Sequence, residues 1–225
     1  MTSASSCSIP WRDISAPLHP NFPTWPGDPP ITIEVTLDCG CGDAATVRRL
    51  TLGSHTGTHV DMPAHFLPDG ATLDDLDLER LSGAAWVLDA RGQSHITADW
   101  LCPKLAELPL DDPGRLRLVF RTDNSNVNWT QLPFNTNFVA IAPCAAQCLV
   151  DFGVTVVGID YLSVEAFDAP EPLTHRALLS AGVLIVEGLV LDKIPAGPCE
   201  FIILPLAIAG GDGAPARALW RKPLR

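Results

Sequence analysis

The sequence predicts an α/β protein, and three observations carry that prediction. Near-continuous apolar runs at 154–159, 183–186 and 201–204 have the pattern of strands buried on both faces. Segments able to form helices fall between such runs in the second half of the chain. The 225 residues, 47% hydrophobic and 18% charged, are enough to enclose one large core and exclude a disordered chain.

The clearest alternation sets Ile31, Ile33, Val35 and Leu37 against Thr32, Glu34 and Thr36, which predicts a half-buried strand. Residues 46–52 alternate less cleanly and support a second strand weakly. Apolar segments 84–88 and 116–120, the latter broken by Arg117, predict two more. Thr97 can cap a helix over 98–105, with Pro103 awkwardly inside it. Pro143 suits the first turn of a helix running to about Phe152. Residues 173–181 form a third helix after Pro170 and Pro172, ending near Gly182. The first 80 residues, rich in Pro and Gly, read as strands and long loops. The 21 prolines and 17 glycines are spread throughout rather than gathered in a linker, so residues 1–225 are expected to form a single domain.

Fifteen Lys and Arg stand against 26 Asp and Glu, a net charge of −11. The densest basic stretch is the short end from Arg217 to Arg225, so neither nucleic acid nor an anionic membrane is expected as a partner. No apolar run reaches the roughly 18 residues of a membrane span, and Met1 to Cys7 lacks the features of a signal peptide. The seven cysteines are scattered and odd in number, without a CxxC; a reducing, cytoplasmic setting with free thiols is expected.

The chemistry concentrates between residues 54 and 66. His55, His59 and His65, three of six histidines, fall within eleven residues together with Asp61. Imidazole and carboxylate ligands suit zinc, and manganese accepts them too. On a helix His55 and His59 would share a face; on a strand His59 and Asp61 would point the same way. Pro63 would end the regular pairing and re-aim His65. The spacing is not that of an HExxH zincin. Far downstream, Glu187 interrupts an apolar run, where a buried carboxylate must be paired, protonated or metal-bound. An arginine partner and ligation are equally open from the sequence. His175 has no decisive local signal of its own. Cys39 and Cys41 read as a Gly-rich turn, His19 and His95 as solvent-facing, and Asp160 as a residue able to support the site by hydrogen bonds.

The block His-x-Gly-Thr-His-x-Asp-x-Pro-x-His, His55 to His65, resembles the signature of the putative cyclase family, which includes bacterial kynurenine formamidases. Trp11 to Ser15, Pro23 to Asp28, Gly158 to Val164, His175, Glu187, Leu204 to Leu206 and Gly213 to Arg217 resemble further family segments in the right order. The resemblance implies a swivelling β/β/α fold and a metal-dependent hydrolase. It implies one ion on His55, His59 and Asp61, with Asp61 bridging to a second on His175 and Glu187. It further implies His65 as the proton-transfer residue, Trp25 as an aromatic contact to substrate, and a homodimer or homotetramer. Zinc is usual in the formamidases, and manganese in related isatin hydrolases. The chain departs from the formamidases at His175-Arg176, where they carry paired histidines, and at Tyr161-Leu162-Ser163, where they carry Thr-Pro-Ser.

The function implied is metal-assisted hydrolysis of an N-formyl aryl amine such as N-formylkynurenine. Hydrolysis of a cyclic amide such as isatin shares the same metal chemistry. A catalytically silent metal-binding protein and a thiol enzyme are the rivals from other classes, the latter without a cysteine beside the histidine block.

Overall fold

The computed structural model describes residues 9–109 and 116–223. The Met1-to-Cys7 segment and Arg225 lie outside them. Twelve strands and three helices follow one another in these residues. Seven strands close into a barrel: β4 (His59–Asp61), β5 (Ser82–Asp89), β7 (Leu116–Arg121), β9 (Val154–Ile159), β10 (Leu184–Glu187), β11 (Gly197–Pro205) and β12 (Gly213–Arg221). The short β4 closes the ring, pairing antiparallel with β10 on one side and β12 on the other. β1 (Arg12–Asp13) adds to the outside of β12. β6 (His95–Ile96) and β8 (Ala140–Ile141) form a small parallel pair apart.

The parallel run β5-β7-β9-β10 carries the helices. α1 (Ala98–Ala106), α2 (Pro143–Asp151) and α3 (Leu173–Ser180) cover its outer face. Side chains alternate with the strand period of two. Leu118, Phe120, Val157, Ile159 and Ile185 pack outward beneath the helices. Val119, Val156, Leu184 and Val186 point into the barrel with Val60, Phe201, Ile203 and Trp220. Both faces of these strands are therefore dry, as their apolar runs predict.

Two expectations are corrected here. β11 is buried on one face only: Phe201 and Ile203 are enclosed while Leu204 is exposed, because the three α-helices of the described residues cover the parallel side instead. The 31–37 strand, β2 (Thr32–Leu37), is mostly exposed rather than half-buried. It pairs with β3 (Val47–Thr51) as a hairpin standing off the barrel, leaving Val35 and Leu50 in solvent.

Pro103 does lie inside α1. Cys102 of α1 and Cys148 of α2 form a disulfide with Cα atoms 6.2 Å apart, correcting the expectation of free thiols for that pair. The two helices pack together, a proximity that a separation of 46 residues conceals. Cys39, Cys41, Cys144 and Cys199 are free. No helix of the described residues is long and apolar enough to cross a membrane.

Candidate metal centre

The site is built where β4 closes the barrel. Strand geometry sends His59 and Asp61 to the same side, while Val60 between them is buried among the barrel's apolar side chains. Register places Glu187, the last residue of β10, directly across from His59. Gly188 then turns the chain at φ 69°, with its backbone so close to Gly57 that any Cβ would strike the Gly57 carbonyl. Thr58 fastens the crossing, its hydroxyl donating to the Gly188 carbonyl at 2.5 Å. Met62 and Pro63 end β4, and the 3-10 turn Pro63–His65 swings His65 back over the site. α3 delivers His175 from the other side.

These side chains meet. His55 Nδ1 lies 2.8 Å from Asp61 Oδ1, and His59 Nε2 lies 3.2 Å from the same oxygen and 3.3 Å from Glu187 Oε2. His175 Nε2 stands 3.2 Å from Glu187 Oε1 and 3.7 Å from Asp61 Oδ2. His59, Asp61, His175 and Glu187 are all buried. Two triads, His55-His59-Asp61 and Asp61-His175-Glu187, are close enough for each to hold an ion, and Asp61 is common to both. His55, His65 and Asp212 form a third close group. Among the described residues no arginine contributes to this network; Glu187 is met by two histidines and by the Val164 amide at 2.6 Å.

Each deep histidine is held so that one nitrogen faces the centre. His59 Nδ1 donates to the Gly57 carbonyl at 2.9 Å, which leaves Nε2 toward Asp61 and Glu187. His175 Nδ1 lies 3.3 Å from Glu165 Oε2, leaving Nε2 toward Glu187. Carboxylates and carbonyls behind histidines are how metal sites fix the imidazole tautomer. Glu165 is itself anchored, accepting from the amides of Thr174 and His175.

The electrostatics call for positive charge. Burial acts against a charged His59, yet hydrogen bonds and charge from Asp61 and Glu187 outweigh it and raise its pKa to about 10. His175 is driven to about 10 in the same way, by Glu165 and Glu187 against its burial. Burial favours a protonated Asp61, but His55 and His59 hold it well below the usual carboxylate range. Asp61 Oδ2 is fully buried and has no hydrogen-bond partner. A buried carboxylate oxygen without a donor is costly, and a cation satisfies it. Three imidazoles and two carboxylates fit a divalent zinc- or manganese-type ion.

A cavity of about 330 Å³ opens onto this cluster. His65 lines it, stacked on His55 with ring centroids 3.6 Å apart. Burial pushes the His65 pKa down, against the pull of Asp61. Trp25 also lines the cavity, its ring edge-on to Phe134 at 5.3 Å and tilted on Phe167 at 5.4 Å. Phe66 stacks on His175 at 4.3 Å.

Other expectations resolve differently. Asp160 does not support the site: its carboxylate is taken by the amide and hydroxyl of Thr122. His19 is half-buried rather than solvent-facing, bonded to the Thr130 carbonyl at 2.9 Å, whereas His95 is exposed. Arg176 points away and pairs with Glu171 at 3.0 Å. Sequence reasoning missed Glu165 and Asp212. Glu165 had one usable signal, a carboxylate close in sequence to Asp160 and followed by the His175 helix. Asp212, 157 residues from His55, had none.

Comparison with known proteins agrees with this geometry. The putative cyclase family model matches residues 12–166. Kynurenine formamidase of Bacillus cytotoxicus is 36% identical over 213 residues, covering 94% of this chain and 97% of the relative. A solved structure described as a potential metal-dependent hydrolase with cyclase activity superposes with TM-score 0.81 at 30% identity, covering 97% of this chain and all of the other. An isatin hydrolase bound to the product analogue thioisatinate gives TM-score 0.83 at 25% identity, covering 96% and 93%. Fold and site together define a metal-dependent hydrolase. The chain belongs to the putative cyclase family.

Proposed function

We propose that this metal-dependent amide hydrolase cleaves the C–N bond of an N-formyl aryl amine, N-formylkynurenine being the leading substrate. The observation that supports it most directly is the orphaned Oδ2 of Asp61 amid three histidines and Glu187. In this reading His55, His59 and Asp61 hold one ion, while Asp61, His175 and Glu187 hold a second, both zinc or alternatively manganese. Such an ion supplies water whose pKa falls from about 15.7 toward 7, and it polarises a carbonyl.

The chain's own groups do the rest. Trp25, backed by Phe134 and Phe167, receives the aryl ring and sets the formyl group over the buried carboxylates. His65, at the cavity wall beside His55, takes the proton of the attacking water and passes it to the departing nitrogen. A C–O bond forms, the C–N bond breaks, and formate and the free aromatic amine leave. Phe66 and Leu162 help exclude bulk water from the cavity.

Residues 1–225 act in this proposal as one domain, in a homodimer or homotetramer of the cytoplasm. Free Cys39, Cys41, Cys144 and Cys199 fit that compartment, and the Cys102–Cys148 bond argues against it. Incubation with N-formylkynurenine is expected to release formate and kynurenine, to stop with a chelator and to resume with zinc or manganese. Thiol blockers should leave it unaffected, since no cysteine of the described residues lines the cavity. Metal-induced thermal stabilisation without product from any amide would replace the enzyme with a silent metal-binding protein. A second reading, opening of a cyclic amide such as isatin, is favoured by the likeness to a structure bound to thioisatinate. The same assay with isatin separates the two.

A further inference from the structure

We infer that Asp212 is a positioning residue, fixing the tautomer of His55 and steering His65 from the far side of the metal centre; this rests on reading His55 as a ligand. Asp212 Oδ2 lies 2.9 Å from His55 Nε2 and 3.5 Å from His65 Nδ1, so one carboxylate oxygen serves both stacked rings. A carboxylate can only accept, so His55 Nε2 donates to it. The remaining nitrogen, Nδ1, is thereby turned onto Asp61 Oδ1 at 2.8 Å. A neutral His55 in this tautomer presents a lone pair toward a carboxylate oxygen, an arrangement that a cation between them makes favourable.

The backbone around Asp212 is shaped for this approach. Its carbonyl accepts the Met62 amide at 2.9 Å, tying it to the end of β4. Glycines flank it on both sides. A Cβ on Gly213 would stand 2.5 Å from His55 Cε1, and one on Gly211 would stand 2.7 Å from Leu73 Cδ1. The bare Gly213 leaves the His55 ring room to lie against this segment.

The test compares Asp212→Ala and Asp212→Asn with the unaltered protein, using zinc titrated against a chelating dye. Asp212→Ala is expected to weaken zinc binding roughly 10- to 100-fold with the number of ions per chain unchanged. Asp212→Asn keeps an acceptor oxygen and should retain more of the affinity. Nitrogen-15 histidine spectra of the zinc-loaded protein should show His55 protonated at Nε2, and that proton should exchange faster with solvent in Asp212→Ala though its circular dichroism is unaltered. Unchanged zinc affinity in Asp212→Ala, or His55 protonated at Nδ1, overturns the inference. Loss of one ion per chain also overturns it, making Asp212 a ligand. If the unaltered protein binds no zinc or manganese at all, the metal reading itself fails, a result distinct from the others.

Discussion

Asp61 Oδ1 lies 2.8 Å from His55 Nδ1, while the other oxygen of the same buried carboxylate meets no donor. Such a carboxylate is placed for charge rather than for packing. Replacement by Asn keeps the volume and removes the charge. Asp61→Asn is expected to lose both ions, since Asp61 is common to the two triads, and turnover should fall below detection. Elemental analysis of the purified variant checks this; full metal content in Asp61→Asn would contradict a bridging role.

His65 stands apart from the two triads, although it stacks on His55. His65→Ala should therefore retain its metal while turnover drops about 10²- to 10⁴-fold, the usual contribution of a positioned acid–base group. Metal analysis beside a kcat measurement separates the roles. Loss of an ion would make His65 a ligand, as its place in the His55-His65-Asp212 group permits.

Protons and metal compete for the same nitrogens. In chelator-treated protein His59 and His175 have pKa values raised to about 10 from an ordinary 6.5. A raised histidine pKa contributes stability that is complete below about 6.5 and is lost as pH climbs toward 10. Thermal melts of the chelated protein should thus decline between pH 7 and pH 10. Bound metal requires neutral imidazoles, so its added stabilisation should grow over the lower part of that range. Parallel melts with and without zinc at pH 6, 7 and 8 read both slopes; a zinc effect that shrinks with pH would refute the competition.

Trp25 shares an aromatic wall with Phe134 and Phe167 at the cavity. Removing one aromatic partner costs about 0.5–1.5 kcal/mol beyond lost area. Trp25→Ala should raise KM for an N-formyl aryl amine up to about tenfold. An aliphatic formamide should be affected far less. Equal effects on both substrates would leave Trp25 a packing residue.

The legible parts of the protein were those written into local pattern. Burial of both faces of β9 and β10 follows from their near-continuous apolar runs, and the His59-Asp61 pairing follows from strand geometry. What escaped was set by closure of the barrel. β12 opens with Gly-Ala-Pro-Ala, which has little strand character, yet it pairs with β1, β4 and β11. The same closure brings Asp212 to His55 across 157 residues. Alternation in β2 was real, but nothing in it told a solvent-exposed hairpin from a barrel strand. Glu187 could be read as a carboxylate needing a partner. That histidines, not an arginine, supply it is a matter of the β4–β10 register for His59 and of α3 packing over β10 for His175.

The most direct measurement is anomalous diffraction at the zinc edge from crystals of the zinc-loaded protein. Two peaks within bonding distance of Asp61 are expected, one reached by His55 and His59 and the other by His175 and Glu187. Ordered crystals that bind zinc elsewhere, with no peak at Asp61, would contradict the metal centre and the hydrolysis derived from it.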